Sequence, residues 1–267
     1  MQSNEQKQAE IADLLKKSNR VLFITGAGIS ADSGLPTYRG VGGLYNQERT
    51  EEGYAIEECL SGSMFRAKPE ITWKYMLQLG IAIAEHRPND AHRIIAKWEK
   101  QFAERGGKVV IVTQNIDRYH QAAGSENVYE FHGSLGTLDC MKCTWSESFD
   151  LDDGIVQRLE KLKQTLPPTC PECDAVIRPR VVLFEEMLPV KVIEGFQNEF
   201  NGEPGFDLVF SVGTSGMFPY ITGPVRIAAS RGIPTVEINP ITSDLSHHVS
   251  IHLPMKAAEA LREIDHL

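Results

Sequence analysis

Val21-Leu22-Phe23-Ile24-Thr25-Gly26-Ala27-Gly28-Ile29-Ser30-Ala31 decides the fold. Four apolar residues in a row mark a strand buried on both faces, and the glycines after them mark a sharp turn at its carboxyl end. The turn has the G-x-G-x-x-G/A form, whose small residues let backbone approach a pyrophosphate at a helix N-terminus. A tight strand-to-helix turn with no ligand satisfies the same pattern. Upstream, Ile11, Leu14 and Leu15 recur at helical spacing. Downstream, residues 109–112, 181–184, 208–212 and 234–238 are further short apolar runs, and 70–84, 90–104, 190–200 and 220–230 are helix-like. This alternation predicts an α/β fold with a doubly wound parallel sheet.

A dehydrogenase would place a second strand, ending in a ribose-binding acid, within about 20 residues of the turn. Here a glycine-rich stretch over 34–68 intervenes, and Glu48, Glu51 and Glu52 have no strand to carry them. A dinucleotide is therefore expected in a different pose, with residues 34–62 folding over it. A loop of this length inside a compact domain suits a lid or binding loop, with room for one short helix.

The whole chain sets the bounds. Its 267 residues suit one large domain with room for a small companion. With 42% hydrophobic and 24% charged residues it is an ordinary globular chain rather than a disordered or fibrous one. Twenty-seven basic against 36 acidic side chains leave a formal charge of −9, which disfavours direct binding to nucleic acid or anionic membrane. No apolar run approaches the roughly 18 to 20 residues that span a bilayer, and the first 20 residues lack the apolar core of a secretory signal. A cytoplasmic protein is expected.

Five cysteines remain, and four of them pair. Cys140 and Cys143 form one C-x-x-C, Cys170 and Cys173 another, with 26 residues between, while Cys59 stands alone as a free structural thiol. In a reducing compartment four thiolates so spaced predict one closed tetrahedral zinc ion, structural because no coordination position is left for water. Residues 134–180 are expected to be a small metal-clipped module, with a polar, Pro-containing linker, inserted between strands of the sheet.

Ligands of open parallel sheets bind beyond the carboxyl ends of the strands, and four polar clusters fall there. Gln114-Asn115-Ile116-Asp117 follows the 109–112 run, where Asn115 and Asp117 suit either helix capping or a site. Val128-Tyr129-Glu130-Phe131 alternates as a strand and delivers His132-Gly133, a structural histidine or a general base near neutral pH. Gly213-Thr214-Ser215 and Asn239-Pro240 follow the last two runs. Each alone fits turn chemistry.

Taken together these residues resemble the sirtuins, NAD-dependent protein lysine deacylases of the Sir2 family. The likeness is carried by GAGIS at 26–30, SGLPTYRG at 33–40, TQNID at 113–117, FHG at 131–133, the paired cysteines, GTS at 213–215 and INP at 238–240, in that order along nearly the whole chain. The resemblance implies a Rossmann-like large domain of residues 1–33, 90–133 and 181–267. It adds a small domain built from 34–89 (cofactor loop and helical part) and 134–180 (zinc module). It implies that the acyl-lysine carbonyl oxygen attacks the nicotinamide ribose of NAD, so that nicotinamide, free lysine and O-acyl-ADP-ribose leave. His132 matches the family's general base and Asn115 the residue that orients ribose and water. Asp117 with Ile116 matches the holder of the nicotinamide amide. Gln114, Ser30, Arg39 and the aromatic Tyr38, where Phe is usual, match contacts near the reacting ribose. Gly26, Ala27, Gly28, Gly213, Thr214, Ser215 and Asn239 match contacts along the phosphates and adenosine. The implied partners are acyl-lysine proteins and NAD, and a monomer is expected.

Substrate residues carry the departures. Val182 and Phe184 match the strand along which a substrate peptide adds, but Glu185 replaces a glycine, and Gly216-Met217-Phe218-Pro219 replaces a Leu-containing run. Tyr75 matches the Tyr of a Tyr-x-x-Arg pair in the succinyl-removing branch, whereas Gln78 stands in place of Arg and offers a carboxylate only neutral donors. Acetyl or another neutral acyl group is the expected substrate. Tyr75 and Gln78 also suit plain helix patterning. Three competing activities remain: ADP-ribosyl transfer or NAD hydrolysis, a non-enzymatic zinc-ribbon binding protein, and dehydrogenation.

Overall fold

The computed structural model describes residues 2–36, 49–150 and 155–267. Its strands are β1 Arg20–Thr25, β2 Lys108–Thr113, β3 Val128–Glu130, β4 Gly133–Cys140, β5 Ser146–Ser148, β6 Ile177–Val181, β7 Leu208–Val212, β8 Thr235–Ile238 and β9 Ile251–Leu253. Six of them make one sheet in the order β3-β2-β1-β7-β8-β9, parallel throughout. The chain builds outward from β1 on one side, then returns to β7 and builds outward on the other. The crevice between β1 and β7 is thus the switch point where open α/β sheets take their ligands.

The helices are α1 Asn4–Lys17, α2 Ile56–Cys59, α3 Gly62–Ala67, α4 Pro69–Glu85, α5 Asp90–Glu104, α6 Tyr119–Ala122, α7 Ile155–Lys163, α8 Val190–Asn201, α9 Pro219–Ser230 and α10 Ala257–Asp265. Side chains of a strand alternate between faces, and β1 shows what that does. Val21 and Phe23 enter one core with Ile11 and Leu15 of α1, Ile95 and Trp98 of α5 and Leu261 of α10. Leu22 and Ile24 enter a second core with Phe196 of α8 and Ile221 and Val225 of α9. Both faces are covered, which is why these strands read as continuous apolar runs. Each fully buried aliphatic or aromatic side chain contributes about 1.5–3 kcal/mol of transfer free energy.

A third core serves a smaller unit. Leu60, Phe65, Trp73, Met76 and Leu77 pack with Leu138, Leu159, Ile177, Val181 and Leu183 under the antiparallel sheet β5-β4-β6. Trp73 Nε1 donates to the Ile177 carbonyl at 2.8 Å and ties α4 to β6. Among the described residues of the 34–68 stretch there are two short helices, α2 and α3, rather than one.

Three expectations are corrected. The 181–184 run does not enter the parallel sheet: Val181 ends β6, Leu183 joins the third core, and Phe184 bridges to Ser61. An isolated apolar run shows that a segment is buried but not which sheet buries it. The stretch read as linker contains α7, whose Leu159 lies against Gly80 of α4, where an added Cβ would meet Leu159 Cδ1 at 3.4 Å. The turn after β1 enters two short 3-10 turns, Ala27–Ile29 and Ala31–Ser33, and no α-helix begins there.

Candidate active site and metal centre

The glycines after β1 are required by packing. Gly28 N–H donates to the Gly213 carbonyl at 2.8 Å, and a Cβ on Gly28 would lie 2.7 Å from Gly213 Cα. Gly213 itself has φ +60° and a Cβ there would meet Ile29 N at 2.4 Å. The loops beyond β1 and β7 can close on each other only without side chains at these points. At the mouth of that crevice Gly26 lies against Thr214, where an added Cβ would meet Thr214 Cβ at 2.8 Å, and Asn239 Nδ2 donates to the Thr214 carbonyl at 2.9 Å. Among the described residues no backbone carbonyl accepts from the amides of Thr214 and Ser215.

Next to the glycine turn lies a buried polar cluster. Ser30 Oγ donates to Asp117 Oδ2 at 2.7 Å, and Asn115 Nδ2 reaches Ser30 Oγ at 3.2 Å and the Gly26 carbonyl at 3.1 Å. Gln114 Nε2 donates to Thr214 Oγ1 at 2.8 Å, so the ends of β2 and β7 are joined across β1. Burial pushes the Asp117 carboxyl up, while the Ser30 hydroxyl and the Tyr119 amide favour the ionised form. Ile116, between the amide pair and the carboxylate, packs on the small unit's core. Asn115 and Asp117 thus act in a side-chain network rather than only as caps. Tyr38 and Arg39 lie outside the described residues.

His132 stands where β3 gives way to β4. Its Nε2 lies 2.8 Å from Tyr220 Oη, and its carbonyl accepts from the Val182 amide at 2.8 Å. Burial lowers its pKa, with the Gln114 backbone pulling the other way, so the ring is neutral and basic at neutral pH. Phe184, half-exposed, donates its N–H to Leu60 and accepts from Gly62, which holds 182–184 against both units. Glu185, at the family's glycine, has φ +71°, and its carboxylate accepts from Ser63 N–H at 3.3 Å. Tyr75 and Gln78 are placed apart from this cluster: the Tyr75 hydroxyl bonds Glu52, and Gln78 stands exposed on α4. Lys74 and then Tyr75 hold the Glu52 carboxyl down to about 2.

Two buried histidines belong to the site's support and carried no signal in the sequence. His92 Nε2 approaches Ser30 Oγ at 3.4 Å, and His120 Nε2 pairs with Thr25 Oγ1 at 3.0 Å. Their rings are 5.0 Å apart, and burial holds both neutral, His120 down to about 3. Asn89, N-cap of α5, also donates to the Ile29 carbonyl at 2.7 Å.

The four paired cysteines converge. All four Sγ atoms lie within 4.8 Å of one another, with Cys140–Cys173 at 3.5 Å and Cys143–Cys170 at 3.6 Å. A tetrahedron with metal–sulfur arms of about 2.3 Å has edges of about 3.8 Å, so the set fits a zinc ion with no position left over. Backbone N–H groups of Lys142, Cys143 and Glu172 point at Cys140 and Cys170 sulfurs at 3.3–3.4 Å, which suits thiolate charge. Cys59 is buried elsewhere, its thiol pushed up by burial.

The comparisons with known proteins point the same way. The Sir2 family model matches residues 26–218. NAD-dependent protein deacylase 2 of Pseudomonas aeruginosa is 45% identical over 258 residues, 96% of this chain and 95% of that protein. NAD-dependent protein deacylase of Pyrococcus furiosus is 36% identical over 256 residues, 96% and 95% of the two chains. A Sir2 homolog–NAD complex superposes with a TM-score of 0.78 at 31% identity, covering 97% of this chain and 93% of that one. A Sir2–p53 peptide–NAD+ complex gives 0.77 at 28% identity over 96% of each chain. With its glycine turn, its Ser30–Asn115–Asp117 cluster and its cysteine set all in place, this chain belongs to the Sir2 family.

Proposed function

We propose that this chain removes acyl groups from lysine side chains of proteins with NAD as co-substrate. The observation that carries the reading is the buried Ser30–Asn115–Asp117 cluster at the switch point, joined through Gln114 to a neutral His132. When bound, NAD supplies a ribose carbon made electrophilic by its nicotinamide leaving group. Gly26, Ala27, Gly28, Gly213, Thr214, Ser215 and Asn239 hold the phosphates and adenosine through backbone groups and short polar side chains. Ser30, Gln114, Ile116 and Asp117, with Tyr38 and Arg39, hold the nicotinamide half. Asn115 orients hydroxyl and water, and His132 takes a proton at Nε2. No side-chain nucleophile would be required of this chain, because the acyl-lysine carbonyl oxygen would supply one.

The peptide adds alongside Val182 and Phe184. A neutral acyl group is favoured over succinyl, because Gln78 carries no charge and the ionised Glu52 sits on Tyr75. Zinc at Cys140, Cys143, Cys170 and Cys173 is structural. Reduced thiols support a cytoplasmic location. Among the described residues no helix is long and apolar enough to cross a membrane. The acidic balance speaks against direct nucleic-acid binding, and the protein acts as a monomer. Turnover of acetyl-, longer-acyl- and succinyl-lysine peptides, compared by kcat/KM, tests the acyl choice. Succinyl at or above acetyl contradicts it.

A further inference from the structure

His132 has a side-chain partner at Nε2. Tyr220 Oη lies 2.8 Å from Nε2, and the Gln114 backbone favours the protonated ring against the effect of burial. In the Nδ1–H tautomer of the neutral ring, the lone pair of Nε2 can accept from the Tyr220 hydroxyl. Tyr220 is the second residue of α9, fixed by stacking on Phe218 at 5.3 Å and 15° and by an edge contact with the imidazole at 6.0 Å. Burial pushes its phenol up to about 12, so it keeps its proton. Among the described residues the groups found against the ring are uncharged: Tyr220 of α9, Phe218 before it and the Gln114 backbone after β2. Among the described residues no carboxylate partners the imidazolium.

We propose that Tyr220 is a positioning residue for His132: its hydroxyl holds Nε2, donating to the neutral imidazole and turning to accept from the imidazolium once the ring has taken a proton. This deepens the proposed function and rests on His132 being its base. The phenol ends each exchange neutral, and the proton gained stays on the imidazole. A hydrogen bond to a charged group is worth more than one between neutral groups, so losing the hydroxyl penalises the imidazolium more. Tyr220→Phe, which keeps the stacked ring, should lower the His132 pKa by roughly half to one unit.

The test is nitrogen NMR of histidine-labelled, zinc-loaded protein without NAD, titrated from pH 5 to 9, with the His132 signal assigned by its loss in His132→Asn. The expected wild-type signal is the Nδ1–H tautomer. The expected Tyr220→Phe titration is displaced downward, with the acidic limb of kcat/KM displaced equally and kcat reduced about 3- to 10-fold at little change in KM. An unmoved or upward titration overturns the proposal. Should Tyr220→Phe not fold, 3-fluorotyrosine labelling of the wild-type chain gives a weaker acceptor and a smaller downward shift, and no shift is contrary. The two failures separate: an inactive wild type condemns the base assignment while the titration still decides the bond, and an active wild type with an unmoved titration condemns only Tyr220.

Discussion

The six-stranded sheet and the cysteine-bearing unit beside it solve the same problem differently. The large sheet buries both faces, with separate cores under α1, α5 and α10 and under α8 and α9. The small unit has three strands, of which β5 is three residues long, and one core that includes its own cysteines. One is stable by area, the other needs a clip. The proposed chemistry follows that division: the groups that hold and deprotonate sit at the end of the self-sufficient sheet, and 182–184 is pinned between the two units.

The largest effect should come from removing the clip. Chelation or Cys143→Ser forfeits metal binding worth on the order of 10 kcal/mol and should strip hydrogen-exchange protection from β4 and β6 while β1, β2 and β7 stay protected. Equal loss in both units would erase the contrast. Next, His132→Ala should cut deacylation roughly 10²- to 10⁴-fold with zinc content and Tm near wild type; a fully active variant overturns the base.

A smaller effect tests the buried histidines under the large sheet's edge. His120 titrates near 6.5 when unfolded and is held to about 3 when folded, so the unfolded chain binds the extra proton between these values. Stability is therefore full above about pH 6.5 and falls as pH drops, by about 2 kcal/mol at pH 5 for this one ring. Urea unfolding at pH 8 and pH 5 measures it, and His120→Gln should flatten the difference. Smallest, Trp73→Phe removes one hydrogen bond between α4 and β6 and should cost about 1 kcal/mol, felt in the small unit only.

Legibility in the sequence tracked the same division. β1, β2, β7 and β8 announce themselves because strands buried on both faces leave no alternative reading, and Cys140, Cys143, Cys170 and Cys173 because paired thiols have few other uses. The 181–184 run reads as a strand of the large sheet but belongs to the small unit, since burial alone does not name a partner strand. β9, of only three residues, and α10 leave no pattern in the sequence analysis. At the site, residues on a contiguous motif were legible, whereas His92, His120 and Tyr220 act across 62, 95 and 88 residues of sequence and emerge only when the chain folds. Gly28 and Gly213 fitted a phosphate-binding pattern, yet each is needed first to let two loops touch.

The most direct measurement is a mass balance of the zinc-loaded protein with NAD and an acetyl-lysine peptide, following peptide and nucleotide products together. Equal amounts of free lysine peptide, nicotinamide and O-acetyl-ADP-ribose are the predicted result. Nicotinamide without deacylated peptide, or no consumption of NAD, would contradict the account.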